Sequence, residues 1–143
     1  MAVELQTLGR AVKAVQYRQH RALDSSLASI GSTLAQWDAL RAIGRTPGAS
    51  ARRLAAVTFQ TEQAFGTLAG RLVAQGLVER RPGHGRRIEH HLTAEGERVL
   101  NAGHDVADSV LRECFGGLTA PERETLLGLL RKIEESQPEA PAG

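Results

Sequence analysis

The stretch that most limits how this chain can fold runs from residue 50 to 93, SARRLAAVTFQTEQAFGTLAGRLVAQGLVERRPGHGRRIEHHLT. Ser50 suits the N-cap of a short helix ending near Val57. The spacing predicts a second helix over about Thr61–Gln75, stopped by Gly76, a good helix-ending glycine. Two short strands, Leu77–Arg81 and Arg87–Leu92, then flank Pro82-Gly83-His84-Gly85, which is turn chemistry. Helix, turn, helix and hairpin in that order make a winged helix-turn-helix. Its second helix enters a major groove, and its hairpin reaches the neighbouring backbone or minor groove.

Charge distribution points the same way. The formal net charge is only +2, so the total carries little weight. Between Glu79 and Glu89, however, lie Arg80, Arg81, His84, Arg86 and Arg87, with no acid. The four arginines are candidates for phosphate and minor-groove contacts, against the plainer reading of a solvated face. Lys13 and Lys132 are the only lysines, so cationic contacts fall to arginine, whose planar fork suits phosphates and guanine edges. On the second helix, Gln63 is the candidate base reader, because glutamine pairs bidentately with adenine. Thr61 and Thr67 suit a phosphate or a thymine methyl, although Thr61 also suits a helix cap. Ser50, Ala64 and Arg71 complete the predicted DNA-binding set. Two features run against this helix. Gly66 and Gly70 each cost about 1 kcal/mol of helix propensity relative to Ala. Glycine there allows either close backbone approach to DNA or ordering on binding. Glu62 is unfavourable near phosphates unless it accepts from a cytosine amino group.

The flanking segments read as helices. Leu5, Leu8, Val12, Val15 and Ala22 form an apolar stripe over residues 3–23. Asp24, Ser25, Ser26, Gly31 and Ser32 are expected to break it, with a helical turn near Leu27 and Ile30. Thr33 and Gln36 form a capping-box pair for a helix over Leu34–Ile43. Thr93 caps a long helix to about Phe115, and Gly116-Gly117 ends it. A last helix, Pro121–Glu135, starts with a Thr119/Glu122 capping box, and Gln137–Gly143 is expected to be a disordered tail. The expected class is therefore mainly α with a small β-hairpin wing. Residues 34–92 form the winged module, residues 1–33 an N-terminal dimerisation helix and connection, and residues 93–143 C-terminal dimerisation helices and tail. Leu118, Leu126, Leu127, Leu129, Leu130 and Ile133 at one end, and Leu5 to Val15 at the other, exceed what a small module needs. Such faces must be buried, and a second copy is the economical cover. The alternative is that they complete a monomeric core.

Several classes are excluded or disfavoured. The chain has 143 residues, 41% apolar and 24% charged, which suits one globular domain rather than a disordered chain. No apolar run reaches membrane-spanning length, and MAVELQTLGR has no apolar signal core, so a cytoplasmic protein with no membrane partner is expected. The single cysteine, Cys114, fits a reducing compartment; it reads as a buried inert thiol, with a redox sensor as the alternative. His84, His90 and His91, joined by His20, His104 or Cys114, show no tight metal-ligand spacing, so no metal is expected. Ile88, His90 and Leu92 alternate onto one face of the hairpin, which makes His90 a packed histidine. No nucleophile elbow, phosphate loop, metalloprotease motif or paired helical carboxylates occur, so neither an enzyme nor a cofactor is expected.

Over residues 3–136 the chain resembles the MarR family of transcriptional regulators. The carrying pieces are Leu34-Ala35-Gln36-Trp37-Asp38-Ala39-Leu40, Leu54-Ala55, Arg71-Leu72, Gly76-Leu77-Val78-Glu79-Arg80, Leu92-Thr93-Ala94-Glu95-Gly96 and Leu118-Thr119-Ala120-Pro121-Glu122-Arg123. The resemblance implies a homodimeric, ligand- or redox-responsive regulator, usually a repressor, on palindromic double-stranded DNA. It also implies a site for small aromatic or anionic effectors between the dimer helices and the winged module. Tyr17, His20 and Arg21, with Trp37, are the candidates to line it; interface packing and surface charge are the alternative. The family's wing usually carries an Asp two residues before a minor-groove Arg. Here Arg86 takes the Arg place, His84 takes the Asp place, and the wing is about two residues short. A rival from another class is an architectural or RNA-binding winged-helix protein with no effector.

Overall fold

A computed structural model describes residues 2–137. Its elements are α1 (Leu5–Leu27), one 3-10 turn (Ala28–Ile30), α2 (Leu34–Arg45), α3 (Ala51–Val57), α4 (Glu62–Ala74), β1 (Val78–Pro82), β2 (Ile88–Leu92), α5 (Ala94–Cys114) and α6 (Ala120–Glu135). The expected mainly α fold with one hairpin is the fold observed. Most of the expected tail lies outside the described residues.

Side-chain caps set most helix starts. Ser50, Thr61, Thr93 and Thr119 each accept a hydrogen bond from the backbone N–H three residues on. Thr119 and Glu122 complete the reciprocal capping box on α6. On α2 only half of the expected box forms: Thr33 accepts from the Gln36 N–H at 3.1 Å. The end of α1 differs from expectation. Asp24, Ser25 and Ser26 do not break it, because the next turn is anchored by Leu23 and Leu27, both buried against Trp37 and Ala107. Asp24 also has work elsewhere: its carboxylate accepts from the Leu34 N–H at 2.9 Å and so helps cap α2.

The core has two parts. Under the winged module, Leu40, Ile43, Leu54, Phe65, Leu72 and Val78 pack together from α2, α3, α4 and β1. Beside it, Leu23, Leu27, Trp37 and Ala107 join α1, α2 and α5. Two glycines on α5 allow this packing. A Cβ on Gly103 would collide with the Trp37 ring, and one on Gly96 with the Leu77 carbonyl. Trp37 is 6% exposed, and its indole N–H donates to the Leu100 carbonyl at 3.2 Å.

The hairpin pairs Val78 with Leu92, Arg80 with His90 and Pro82 with Ile88. Each strand starts one residue later than the sequence suggests. Leu77 still belongs to the end of α4, its N–H bonding the Leu72 carbonyl beyond Gly76, which adopts φ 76°. Arg87 belongs to the wing turn, where the Gly83 N–H bonds its carbonyl at 2.7 Å.

Candidate nucleic-acid interface

Helix α4 has two faces. Phe65, Ala69 and Leu72 turn inward and are fully buried. Outward, Thr61, Gln63, Ala64, Thr67, Leu68 and Arg71 line one shallow open cavity of about 470 Å³. Five of these six are residues that the sequence marks for DNA; Leu68, half-buried at the margin of the core, is the addition. The hydroxyls are partly engaged: Thr61 caps the helix, and Thr67 donates to the Gln63 carbonyl at 3.1 Å. Among the described residues, the Gln63 side-chain amide has no protein partner and stays exposed. Ser50 is set apart. It caps α3 at 3.4 Å from the Arg53 N–H, away from the α4 cavity.

The four wing arginines separate into three situations. Arg80 donates through Nη2 to the Gly66 carbonyl on α4 at 3.1 Å. Arg81 pairs with Glu79 at 3.1 Å on the exposed face; this pairing holds the Glu79 carboxyl below the usual range and raises Arg81 further. Arg86 and Arg87 are exposed, and among the described residues neither has an acid within ion-pair distance. Uncompensated positive charge is thus concentrated at the wing tip, beside exposed His84. Among the described residues, the His84 ring makes no hydrogen bond to Arg86. His90 is buried as expected, and its Nδ1 lies 3.0 Å from the Ala49 carbonyl. A carbonyl only accepts, so Nδ1 carries the proton. Burial pushes the His90 pKa down, against the opposing pull of that hydrogen bond.

Sequence reasoning passed over two features. Arg52 and Arg53 stand exposed on the first turn of α3, without an acid partner among the described residues. Their position beside the Ser50 cap was the available signal, since the first helix of such a motif crosses the DNA backbone. Phe59, in the turn between α3 and α4, adopts φ 58° and is 89% exposed. The turn is held by buried Thr58, whose hydroxyl donates to the Leu54 carbonyl at 2.7 Å, and by the Gln60 N–H on the Ala55 carbonyl at 2.9 Å. Nothing in a phenylalanine signals a left-handed backbone.

The four expected effector residues are not brought to one cavity. Tyr17 and Arg21 meet each other on exposed α1, with the guanidinium 3.4 Å from the phenol oxygen, and His20 is exposed nearby. Trp37 is core, not wall. A cleft beside it, of about 370 Å³, lies between α2 and α5 and carries Arg41, Arg45, Glu97, Asn101 and His104. His104 meets the Trp37 ring edge-on at 5.5 Å, and the Arg41 guanidinium lies 5.9 Å over it. Cys114 is exposed rather than buried, because it ends α5 beyond the last packed turn. Among the described residues, no group of His, Cys, Asp and Glu is arranged to hold a metal, and no helix is long and apolar enough to cross a membrane.

A helix-turn-helix with an outward recognition face and a cationic wing defines a winged-helix DNA-binding transcriptional regulator. Known proteins agree. The MarR family pattern matches residues 30–88. Transcriptional regulator HosA of Escherichia coli is 35% identical over 103 residues, covering 71% of this chain and 76% of its own. A repressor of Mycobacterium bovis, Mb2911, is 28% identical over 113 residues, covering 78% and 81%. Among solved structures, a mutant MarR from E. coli complexed with operator DNA superposes with TM-score 0.83 at 29% identity, over 89% of this chain and 93% of that one. Rv2887 of Mycobacterium tuberculosis with salicylic acid gives 0.73 at 27% identity, over 88% and 95%. The chain belongs to the MarR family, which is a family of transcriptional regulators and not of enzymes.

Proposed function

We propose that this regulator is a cytoplasmic homodimeric repressor that binds a palindromic operator and is released by a small aromatic acid. The observation that carries the DNA reading is the pairing of one outward face on α4 with a wing tip whose charge is uncompensated. Gln63 reads a base edge, Thr61, Ala64, Thr67 and Arg71 line the groove, and Arg86 and Arg87 hold the backbone or minor groove, with Arg52 and Ser50 at the α3 end. The operator complex of the E. coli relative supports this reading, and the name of the M. bovis relative supports repression. Footprinting genomic DNA with the full chain at fixed salt tests it. A few palindromic sites are expected. Diffuse coverage favours an architectural protein instead.

For the effector, the salicylic acid complex of the M. tuberculosis relative supports an aromatic carboxylate. The cleft offers Arg41 and Arg45 as charge-assisted donors beside the Trp37–His104 pair, with Glu97 on the same wall and Arg41 3.9 Å from Asp38. It lies between the winged module and α5, so filling it would shift one against the other. Salicylate titration should change Trp37 fluorescence saturably, with DNA affinity falling in step. Arg41→Ala should abolish the response. If Arg21→Ala abolishes it instead, the effector sits on α1 with Tyr17 and His20.

A further inference from the structure

We propose that Arg80 is a positioning residue rather than a DNA contact: it ties wing strand β1 to the middle of recognition helix α4 and so sets the register between wing tip and helix. The proposal rests on the DNA-binding reading above and assigns one of its wing residues a different task. Three observations carry it. First, Arg80 pairs with His90 across the hairpin, and directly opposed residues project from the same face of an antiparallel pair. His90 is buried, so that face is the one turned toward α4, whereas Glu79 and Arg81 project from the other face and pair there at 3.1 Å. Second, the contacts of this face fall on adjacent helix residues. The His90 ring meets Phe65 edge-on at 6.1 Å, and Arg80 Nη2 donates to the Gly66 carbonyl at 3.1 Å. Third, outside the helix's own backbone, Arg80 Nη2 is the nearest heavy atom, at 4.0 Å, to a Cβ built on Gly70.

These facts also give a reason for Gly70 in a helix that must be ordered to read DNA. In a helix the residue at i+4 flanks the carbonyl of residue i, and here those residues are Gly70 and Gly66. A bare Gly70 leaves the Gly66 carbonyl open to a second donor. The guanidinium fills that space with a charge-assisted bond. Neither glycine lines the outward cavity of α4, so the brace acts from beside the reading face. The His84 ring makes no hydrogen bond at the wing tip among the described residues, so the tie that holds the wing comes from its root, and Arg80 supplies it there.

The test compares Arg80→Met, Gly70→Leu, Gly70→Ala and the Arg80→Met/Gly70→Leu double variant of the full chain. Gly70→Leu changes no charge and raises helix propensity. It should nevertheless weaken operator binding about tenfold, the size of one charge-assisted hydrogen bond, without lowering the melting temperature. Arg80→Met should weaken binding by a similar factor. The double variant should lose no more than either single one, because both remove the same contact. Gly70→Ala, whose Cβ meets Arg80 at ordinary distance, should bind as the parent does. If Arg80→Met lowers the salt slope by about one while Gly70→Leu binds normally, or if the two losses multiply, Arg80 is an independent phosphate contact and the proposal fails. A second measurement needs no DNA. Spin labels at Thr67→Cys and His84→Cys, in a Cys114→Ser background, should give a narrow helix-to-wing distance distribution. Arg80→Met and Gly70→Leu should broaden it, and unchanged widths overturn the brace. A parent chain that binds no operator would instead overturn the DNA reading and leave this second measurement standing.

Discussion

His90 illustrates how one residue holds the DNA-binding elements together. Its ring touches α4 through Phe65 and the start of α3 through the Ala49 carbonyl, with Arg80 opposite and His91 beside it. Burial lowers its pKa, and Arg80 and His91 lower it further. The unfolded histidine titrates near pH 6.5. Between the lowered folded value and that one, the unfolded chain binds a proton that the folded chain refuses, so stability rises with pH. The contribution is complete above about pH 6.5 and is lost as pH falls through the folded value. Melting curves at pH 7.5 and 5.5 should show the parent losing more stability on acidification than His90→Leu, and equal losses would remove His90 as the cause. The wing tip makes a different prediction. Arg86→Ala and Arg87→Ala should each lower the salt slope of DNA binding by about one, whereas Arg81→Ala, already offset by Glu79, should lower it less. Gln63→Ala should relax preference at a single base pair, at about 1–3 kcal/mol. An unchanged ranking of operator variants would show that Gln63 reads nothing.

Elements were readable from the sequence where local chemistry decides them and obscure where packing does. Ser50, Thr61, Thr93 and Thr119 mark helix starts because a side-chain oxygen three residues before a free N–H is a local fact. The outward face of α4 was legible for the same reason, since helical spacing alone places Thr61, Ala64, Thr67 and Arg71 on one side. The end of α1 was not, because Leu23 and Leu27 are anchored by residues far along the chain, on α2 and α5. Nor was the depth of Trp37. Its neighbours Ala107 and His104 lie about seventy residues away in sequence, so an aromatic that looked free to meet a ligand is core. The junction of α2 with α5 depends on Gly103, where a methyl group would collide with the indole. Gly103→Ala should therefore destabilise the fold by about 1–3 kcal/mol through overpacking, despite improving helix propensity. It should also shift Trp37 emission as the indole moves from the Leu100 carbonyl. A variant as stable as the parent would show that this junction is looser than described.

At the scale of the whole molecule the protomer leaves two elements unfinished. Leu5, Leu8, Val12 and Val15 on α1 are between 48% and 80% exposed, and Leu127, Leu129, Leu130 and Ile133 on α6 between 43% and 55%. Helix α6 contributes no buried residue, although it is well capped at its start. Apolar stripes of this extent on two helices are unfavourable in water, and a two-fold partner covers both at once. In the proposed dimer one protomer would read one half-site, and two linked protomers would convert the second half-site into an intramolecular event. Leu127→Glu with Leu130→Glu should therefore give a folded monomer whose affinity falls to the non-specific range, leaving the winged-module core intact because none of its residues lies on α6. Removing residues 119–143 should be harsher. It removes the whole α6 stripe that would meet α1 in the proposed dimer, and aggregation or unfolding is expected. Sedimentation of both chains decides the matter. A soluble, well-folded monomer from the truncation, or a Leu127/Leu130 variant that stays dimeric on its operator, would place the interface elsewhere than on these two helices.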